Sequence, residues 1–200
     1  MRRRSRKLDQ LLAELRNADP EARRRAIEGL TRASFRWVRP PLPSARQIDQ
    51  IFRALAAALA KDTDPAVRSD AANAIAAWFE PRAAEVLLPV LEDETAPAEM
   101  RALAAEGIGN SLDQNRRSAL HARATKALLR GLASAEAGVR FWCIFALGVM
   151  CATEARPELE RLAASDDAVY PGMWGVRDEA ADALAFWDTG TWPDRERLES

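Results

Sequence analysis

Residues that could carry acid–base or metal chemistry are few in this chain. His121 is the only histidine, and neither a cysteine nor a second histidine stands near it at the spacing of a metal site. We expect it to be a surface residue or a helix cap. Asp166 and Asp167 could act as a general acid and base, but a solvated loop is the commoner place for such a pair. The sequence therefore predicts no enzymatic activity, no catalytic residue, no metal site and no cofactor.

The clearest pattern in the chain is structural. An apolar residue is followed by Arg, then by Ala (once Cys) three positions after the Arg, then by a branched apolar residue four positions later. Successive arginines of this pattern are 45, 33, 39 and 37 residues apart, at Arg23, Arg68, Arg101, Arg140 and Arg177. Such a period is typical of solenoids built from two-helix repeats. We therefore predict an all-α fold, an α-solenoid (α-α superhelix) of about five helix pairs.

The repeats are predicted to form a single domain over residues 1–200. Asp19-Pro20 and Asp64-Pro65 are each expected to begin a second helix, because Asp accepts free backbone N–H groups and Pro has none to lose. No strand pattern of period two occurs. The repeats are placed at about residues 5–38, 44–79, 81–113, 116–152 and 156–188, with a tail at residues 189–200.

Composition favours a soluble cytoplasmic protein that does not enter a membrane. The chain is 48% hydrophobic and 30% charged, with a formal net charge of −1. Its longest uncharged apolar run, residues 141–152, is too short to span a bilayer. The basic N-terminus is not followed by the apolar core of a signal peptide. Cys143 and Cys151 are expected to be reduced thiols.

Residues 64–75 carry a resemblance to a known family. They run Asp-Pro-Ala-Val-Arg-Ser-Asp-Ala-Ala-Asn-Ala-Ile, which resembles the HEAT repeats of the bilin-lyase HEAT-like (PBS lyase HEAT-like) type. The resemblance covers about residues 8–188. It implies that the Asp and Arg of the motif form a ladder between neighbouring repeats. Pro97, Glu136 and Met173 replace that Asp in the last three repeats, so the ladder is expected to weaken toward the C-terminus. The family name also covers chromophore lyases, but no feature beyond the repeats suggests a bilin.

The second helices of such an array line its concave face, so their positions opposite the core are available to a ligand. One column of equivalent positions is polar in four repeats and holds Phe145 in the fourth, and Phe141 lies one turn before it. An aromatic patch with an acidic rim suits a basic, partly apolar protein or peptide. The chain is thus predicted to be a protein-interaction scaffold or adaptor. Its predicted partner-binding residues are Phe141, Phe145, Asn73, Glu106, Asp178, Asp182, Tyr170 and Trp174.

An insertion in the fifth repeat bears on this site. Residues 168–174 lengthen the connection between its two helices and are aromatic and turn-forming. The sequence leaves two possibilities open. The insertion either covers Phe141 and Phe145 or joins them in one binding surface.

The charge distribution supports an alternative partner, a nucleic acid. Residues 1–53 hold 14 basic and 6 acidic side chains, a balance of +8, and the remainder has a balance of −9. In this alternative, basic side chains of the first repeat bind phosphates, namely Arg23, Arg24, Arg25, Arg32 and Arg36. It includes a DNA-glycosylase-like activity, because alkylpurine DNA glycosylases use a HEAT-like groove lined by Trp and one Asp. The charges could equally serve only solubility, and the sequence does not specify an oligomeric state.

Overall fold

The computed structural model describes residues 2–34, 44–112 and 118–193. These residues form ten α-helices and no extended strand, only a single isolated bridge between Val169 and Gly175. The all-α prediction is therefore confirmed. The helices are α1 (Arg2–Glu14), α2 (Pro20–Ser34), α3 (Ala45–Lys61), α4 (Pro65–Ala76), α5 (Pro81–Glu92), α6 (Ala98–Leu112), α7 (Ala119–Gly131), α8 (Ala137–Val149), α9 (Arg156–Ser165) and α10 (Val176–Thr189), with a 3-10 turn at Thr153–Ala155.

The chain divides into two compact units, Met1–Ile75 and Ala76–Ser200. The single domain expected over residues 1–200 stays a prediction. None of the helices in the described ranges is long and apolar enough to cross a membrane.

The predicted helix starts at the two Asp-Pro pairs are confirmed. The Asp64 side chain accepts hydrogen bonds from the backbone N–H groups of Ala66 and Val67, at 2.9 and 3.1 Å. Asp19 accepts one from Glu21 at 3.0 Å. Each carboxylate satisfies N–H groups that the first turn of a helix leaves without a partner.

In the first unit, α2 packs against α1 and α3. The apolar stripe of α2 supplies Ala26, Ile27 and Leu30, all nearly or fully inaccessible to solvent. Leu55 of α3 is completely buried. Burial of these side chains holds the helices of the unit together.

In the second unit, the helices form three pairs, α5 with α6, α7 with α8 and α9 with α10. The second helices of the pairs are also neighbours, because α8 packs against both α6 and α10. The approach of α6 to α8 is close at Gly109, where an added Cβ would stand 2.7 Å from the Cα of Ala146. The helices α6, α8 and α10 therefore form one layer, which we call the second-helix layer.

Two arginines of the repeated motif link neighbouring repeats through the same set of bonds. Arg23 makes a two-pronged ion pair with Asp62, with both bonds at 2.8 Å, and Arg140 makes one with Asp166 at 2.7 and 3.0 Å. In each case the Nη1 nitrogen of the arginine donates to two backbone carbonyls just before its own helix. For Arg23 these are the carbonyls of Asn17 and Ala18 before α2, and for Arg140 those of Ser134 and Ala135 before α8. Planar guanidinium is the side-chain group whose donors fit this arrangement.

These contacts correct two expectations about the ladder. The partner is not the Asp of the Asp-Pro pair, which caps the helix instead, but an Asp that ends a first helix. The ladder also does not weaken steadily along the chain, since the Arg140 pair of the fourth repeat is as shielded as the Arg23 pair of the first, whereas Arg177 of the fifth repeat pairs with the exposed Asp167. In the third repeat, Arg101 donates to the backbone oxygen of Leu91 at 3.2 Å.

Candidate partner-binding site

An aromatic cluster occupies α8, α10 and the chain segments on either side of α10. Neighbouring rings have centroids 5.1–5.9 Å apart, the spacing of tilted and edge-to-face pairs. The cluster contains seven of the chain's thirteen aromatic residues, so aromatic surface is concentrated in this one part of the molecule. Its members are Phe141, Trp142, Phe145, Tyr170, Trp174, Phe186 and Trp192.

The insertion of the fifth repeat is a folded loop that covers Phe141. Its tip is a turn in which Met173 N–H donates to the Tyr170 carbonyl at 3.0 Å, and Gly172 adopts the positive φ of 77° that this turn requires. The base is closed by the bond from Val176 N–H to the Ala168 carbonyl, 2.9 Å long. Residues 168–174 therefore cover Phe141 and do not join it in an exposed binding surface.

Two aromatic side chains of the loop make that cover. The rings of Tyr170 and Trp174 lie 5.9 and 5.8 Å from the ring of Phe141. Tyr170 also packs on Gly138, where an added Cβ would stand 2.7 Å from its ring. The Trp174 indole N–H donates to the Glu179 carboxylate at 2.7 Å. Phe141 is consequently only 1% exposed.

This burial corrects the expectation for two of the partner-binding residues. Phe141 and Asp182, which is 2% exposed, do not present a surface to a partner. Both positions are inaccessible because α10 and the loop pack against α8. Aligning equivalent positions of the repeats does not show this packing. Tyr170, Trp174 and Asp178 are half-buried, and Asn73 is exposed on α4 in the other unit.

Phe145 remains half-buried, and it contacts residues that the sequence did not single out. Its ring lies 5.4 Å from Trp142 and 5.8 Å from Trp192. Trp192 follows the end of α10 and belongs to the segment that the sequence predicts only as a tail. The tryptophan just beyond the last repeat is the sequence feature that indicates this contact, because a large ring left in water gains nothing for folding.

Glu106 is an acidic residue of α6, the helix that packs against α8 and so against the helix that carries Trp142 and Phe145. It lies one turn before Gly109, which packs on Ala146, the residue next to Phe145. Within the described ranges, Glu106 has neither a hydrogen bond nor an ion pair. Its partial burial raises the pKa of the carboxyl above its usual value. A cation bound beside it would offset the lost hydration.

The arginines of the nucleic-acid alternative are engaged with carboxylates. Arg23 pairs with Asp62, whose pKa this bond lowers. Three further arginines are paired as well, Arg24 with Asp70 and Glu21, Arg25 with Asp19, and Arg32 with Glu28. Arg36 lies outside the described residues. These pairs reduce the positive potential that phosphate binding needs.

The histidine and the two adjacent aspartates that could carry chemistry each contact another part of the chain. His121 is buried, 5% exposed, so the surface alternative is wrong. A nitrogen of its ring lies 3.4 Å from the carbonyl of Met150, the residue at the C-terminal end of α8, in accord with the helix-cap alternative. Asp166 and Asp167 pair with Arg140 and Arg177 respectively. Across the described segments, no three acidic, cysteine or histidine side chains converge as metal ligands.

The two cysteines are free thiols. Cys143 lies in the core of α8, where burial raises its pKa to about 12. A thiol of that pKa is not ionised near neutral pH and is a poor nucleophile. Its role is to fill space next to Gly131, where an added Cβ would clash with the Cys143 sulfur.

Comparison with known structures gives matches of the same architecture. One is the complex of CpcE and CpcF of phycocyanin lyase from Nostoc sp. PCC7120, with 22% identity, a TM-score of 0.60, and coverage of 88% of this chain and 97% of that chain. Another is a designed armadillo repeat protein in complex with the peptide (KR)4, with 19% identity, a TM-score of 0.62, and coverage of 90% and 81%. Likeness at these identities shows the fold alone.

Sequence comparison places the chain in a family. A search of curated proteins gives no significant match. The family model for HEAT repeats matches residues 8–109, about half of the sequence. Together with the helix pairs and the arginine motif, this match shows that the chain belongs to the HEAT repeat family.

Proposed function

We propose that this protein is a non-catalytic interaction module that binds a basic, partly apolar peptide or protein loop on its second-helix layer. Repeat-solenoid folds of this kind are typical of protein-binding scaffolds. The observation that carries the proposal is that α6, which holds the half-buried carboxylate of Glu106, packs against α8, which holds the partly exposed rings of Trp142 and Phe145.

The two features complement each other as a recognition surface. Aromatic rings supply apolar area and attract a cation to their faces. The Glu106 carboxylate is partly desolvated in the free protein, so its attraction for a cation is stronger than that of a fully hydrated carboxylate. A lysine or arginine flanked by apolar groups would satisfy both features at once.

The peptide (KR)4 is a suitable probe, because it is bound in the complex of the similar designed armadillo protein. We expect fluorescein-labelled (KR)4 to bind the full chain in an anisotropy titration, and to bind more weakly as salt is added. Glu106→Gln keeps the size of the side chain and removes its charge. It should weaken binding by about tenfold, equivalent to about 1.4 kcal/mol.

The matched control is Glu85→Gln on α5, an exposed position outside the second-helix layer. This variant should bind (KR)4 as the parent does, and an acidic peptide of the same length should not bind. If the parent fails to bind (KR)4, or if both glutamate variants lose affinity equally, the proposed site is wrong.

We also propose a cytoplasmic location. The two free thiols, Cys143 and Cys151, suit a reducing compartment. An oxidising compartment would expose the half-buried Cys151 to modification. Fluorescence microscopy of the tagged protein in its native cell tests the location.

A further inference from the structure

The segment after α10 turns back onto the second-helix layer. Gly190 ends the helix in the left-handed conformation, with φ 75°, and its N–H donates to the Phe186 carbonyl at 2.8 Å. This turn reverses the chain and brings Trp192 against α8. The indole contacts Phe145 and Phe186, with ring centroids 5.8 and 5.1 Å away.

Gly148 provides the space for the indole. A Cβ at this position would stand 2.7 Å from the Trp192 ring and 3.0 Å from the Cβ of Ala183. The missing side chain therefore leaves a depression between α8 and α10, walled by Phe145, Ala183 and Phe186. We call it the Gly148 site.

Trp192 differs from its two tryptophan neighbours in how it is held. The Trp174 indole N–H donates to Glu179, and the Trp187 N–H donates to the Gly148 carbonyl at 2.9 Å. In the part of the chain that the structure describes, the Trp192 N–H has no such bond, and ring contacts alone hold the side chain. Trp192 is also only half-buried. It is consequently the one of the three that can leave without stranding a buried donor.

We propose that the Gly148 site is a binding site for an indole side chain, which Trp192 occupies in the free protein and vacates when a partner supplies its own aromatic residue. This proposal rests on the proposed function, because it places the partner on the same second-helix layer. It adds a requirement, since the partner must carry an aromatic residue besides its basic ones. The C-terminal segment then acts as an intramolecular competitor.

The test adds residues 190–200 as a separate peptide to the 200-residue chain in which Trp192 has been replaced, so that the Gly148 site is empty. The receptor is the Trp192→Ala variant, and the probe is a labelled synthetic peptide with the sequence of residues 190–200. We expect it to bind the variant and to bind the parent at least about tenfold more weakly, because a tethered tail has an effective concentration in the millimolar range. The same peptide with Ala in place of Trp should not bind.

Equal binding to parent and variant, or no binding to the variant at millimolar peptide, would overturn the proposal. So would a Trp192→Ala variant whose C-terminal unit unfolds, because Trp192 would then be structural. Hydrogen exchange on the unmodified parent gives a second readout, in which the amide N–H groups of Thr191 and Trp192 should open far more often than those at the centre of α10.

A titration with (KR)4 runs in parallel and separates this proposal from the proposed function. If (KR)4 binds and the tail peptide does not, only the Gly148 site is rejected. If the tail peptide binds and (KR)4 does not, the basic partner is rejected and the indole site stands.

Discussion

At the residue scale, the Arg140–Asp166 pair shows how one side chain can fix the geometry between repeats. Its guanidinium makes four hydrogen bonds, two to the Asp166 carboxylate and two to backbone carbonyls. Both side chains are largely shielded from water, at 13% and 11% exposure. Lysine cannot reproduce this fork, because its donors radiate from a single nitrogen.

Arg140→Lys should therefore lower the free energy of unfolding by about 1–3 kcal/mol, the effect of leaving shielded acceptors unsatisfied. Arg161→Lys is the matched control, because Arg161 pairs with Glu158 at the surface. Exposed pairs contribute about 0–1 kcal/mol, so this variant should change little. Urea denaturation measures both. Equal effects would mean that the fork has no special role.

The same pair predicts a dependence on pH. The hydrogen bond from Arg140 is the main cause that lowers the pKa of Asp166 below its usual value. The contribution of this pair to stability is therefore fully present above about pH 4, the pKa of Asp166 in the unfolded chain. It is lost as the pH falls through the lower pKa of Asp166 in the folded protein. Asp166→Asn should be less stable than the parent at pH 7, and the difference should shrink below pH 4. Urea midpoints at several pH values would show this, and a constant difference would contradict it.

For Glu106 the predicted dependence of stability on pH has the opposite sign. Burial raises its pKa, so the folded protein holds the proton more tightly and loses stability as the pH rises past the usual glutamate value. Glu106→Gln should therefore melt at a higher temperature than the parent at pH 7 while binding (KR)4 less well. Differential scanning fluorimetry beside the anisotropy titration tests both. A variant that loses stability and binding together would indicate a structural role.

At the scale of elements, small residues set how closely helices approach. A Cβ at Gly109 would stand 2.7 Å from the backbone Cα of Ala146, and backbone cannot move aside cheaply. Gly109→Ala should destabilise the second unit by about 1–3 kcal/mol, in spite of the higher helix propensity of alanine.

The control for this prediction is Gly29→Ala on α2. Its Cβ would meet only the end of the Leu11 side chain, which can rotate away. That variant should be close to neutral or slightly stabilising. Thermal melts followed by circular dichroism compare the two variants. If they behave alike, close approach at Gly109 is not what the glycine provides.

The loop over α8 gives a second prediction at this scale. Phe141→Ser removes a fully covered ring and should reduce stability by about 3–5 kcal/mol. Phe145→Asn removes a half-buried ring at the proposed surface, so it should affect stability less and (KR)4 binding more. Melting and binding are measured on both variants. A stable Phe141→Ser variant with lost binding would mean that the loop opens in solution.

At the scale of the whole molecule, stability rests on equivalent apolar positions of the repeats. Val67, Val139 and Val176 are all 0% exposed. Val139→Asp would bury a carboxylate without a partner, which costs several kcal/mol, comparable with the entire 5–15 kcal/mol stability of a typical domain. The variant should lose helical content and elute as an expanded or aggregated species in gel filtration. A variant that melts like the parent would show that the assignment of repeats is wrong.

The repeat architecture was available from the sequence, and the reason is local. The spacing of the arginine motif follows from helix length, and the Asp-Pro pairs act on N–H groups only two or three residues away. Helix starts, the apolar stripe and the buried valines can therefore be inferred without knowing which helices are neighbours.

The site depended on contacts between residues distant in sequence, and these were decided by the tertiary structure alone. The loop at residues 168–174 could have covered Phe141 or extended its surface, and the choice was made by Gly138 and Glu179, which receive Tyr170 and Trp174. Trp192 reached α8 because Gly190 reverses the chain and Gly148 leaves room. The sequence by itself determined which residues are apolar, charged or helical. Packing decided which rings are covered and how deeply each carboxylate is buried, because burial is a property of neighbours and not of a single chain segment.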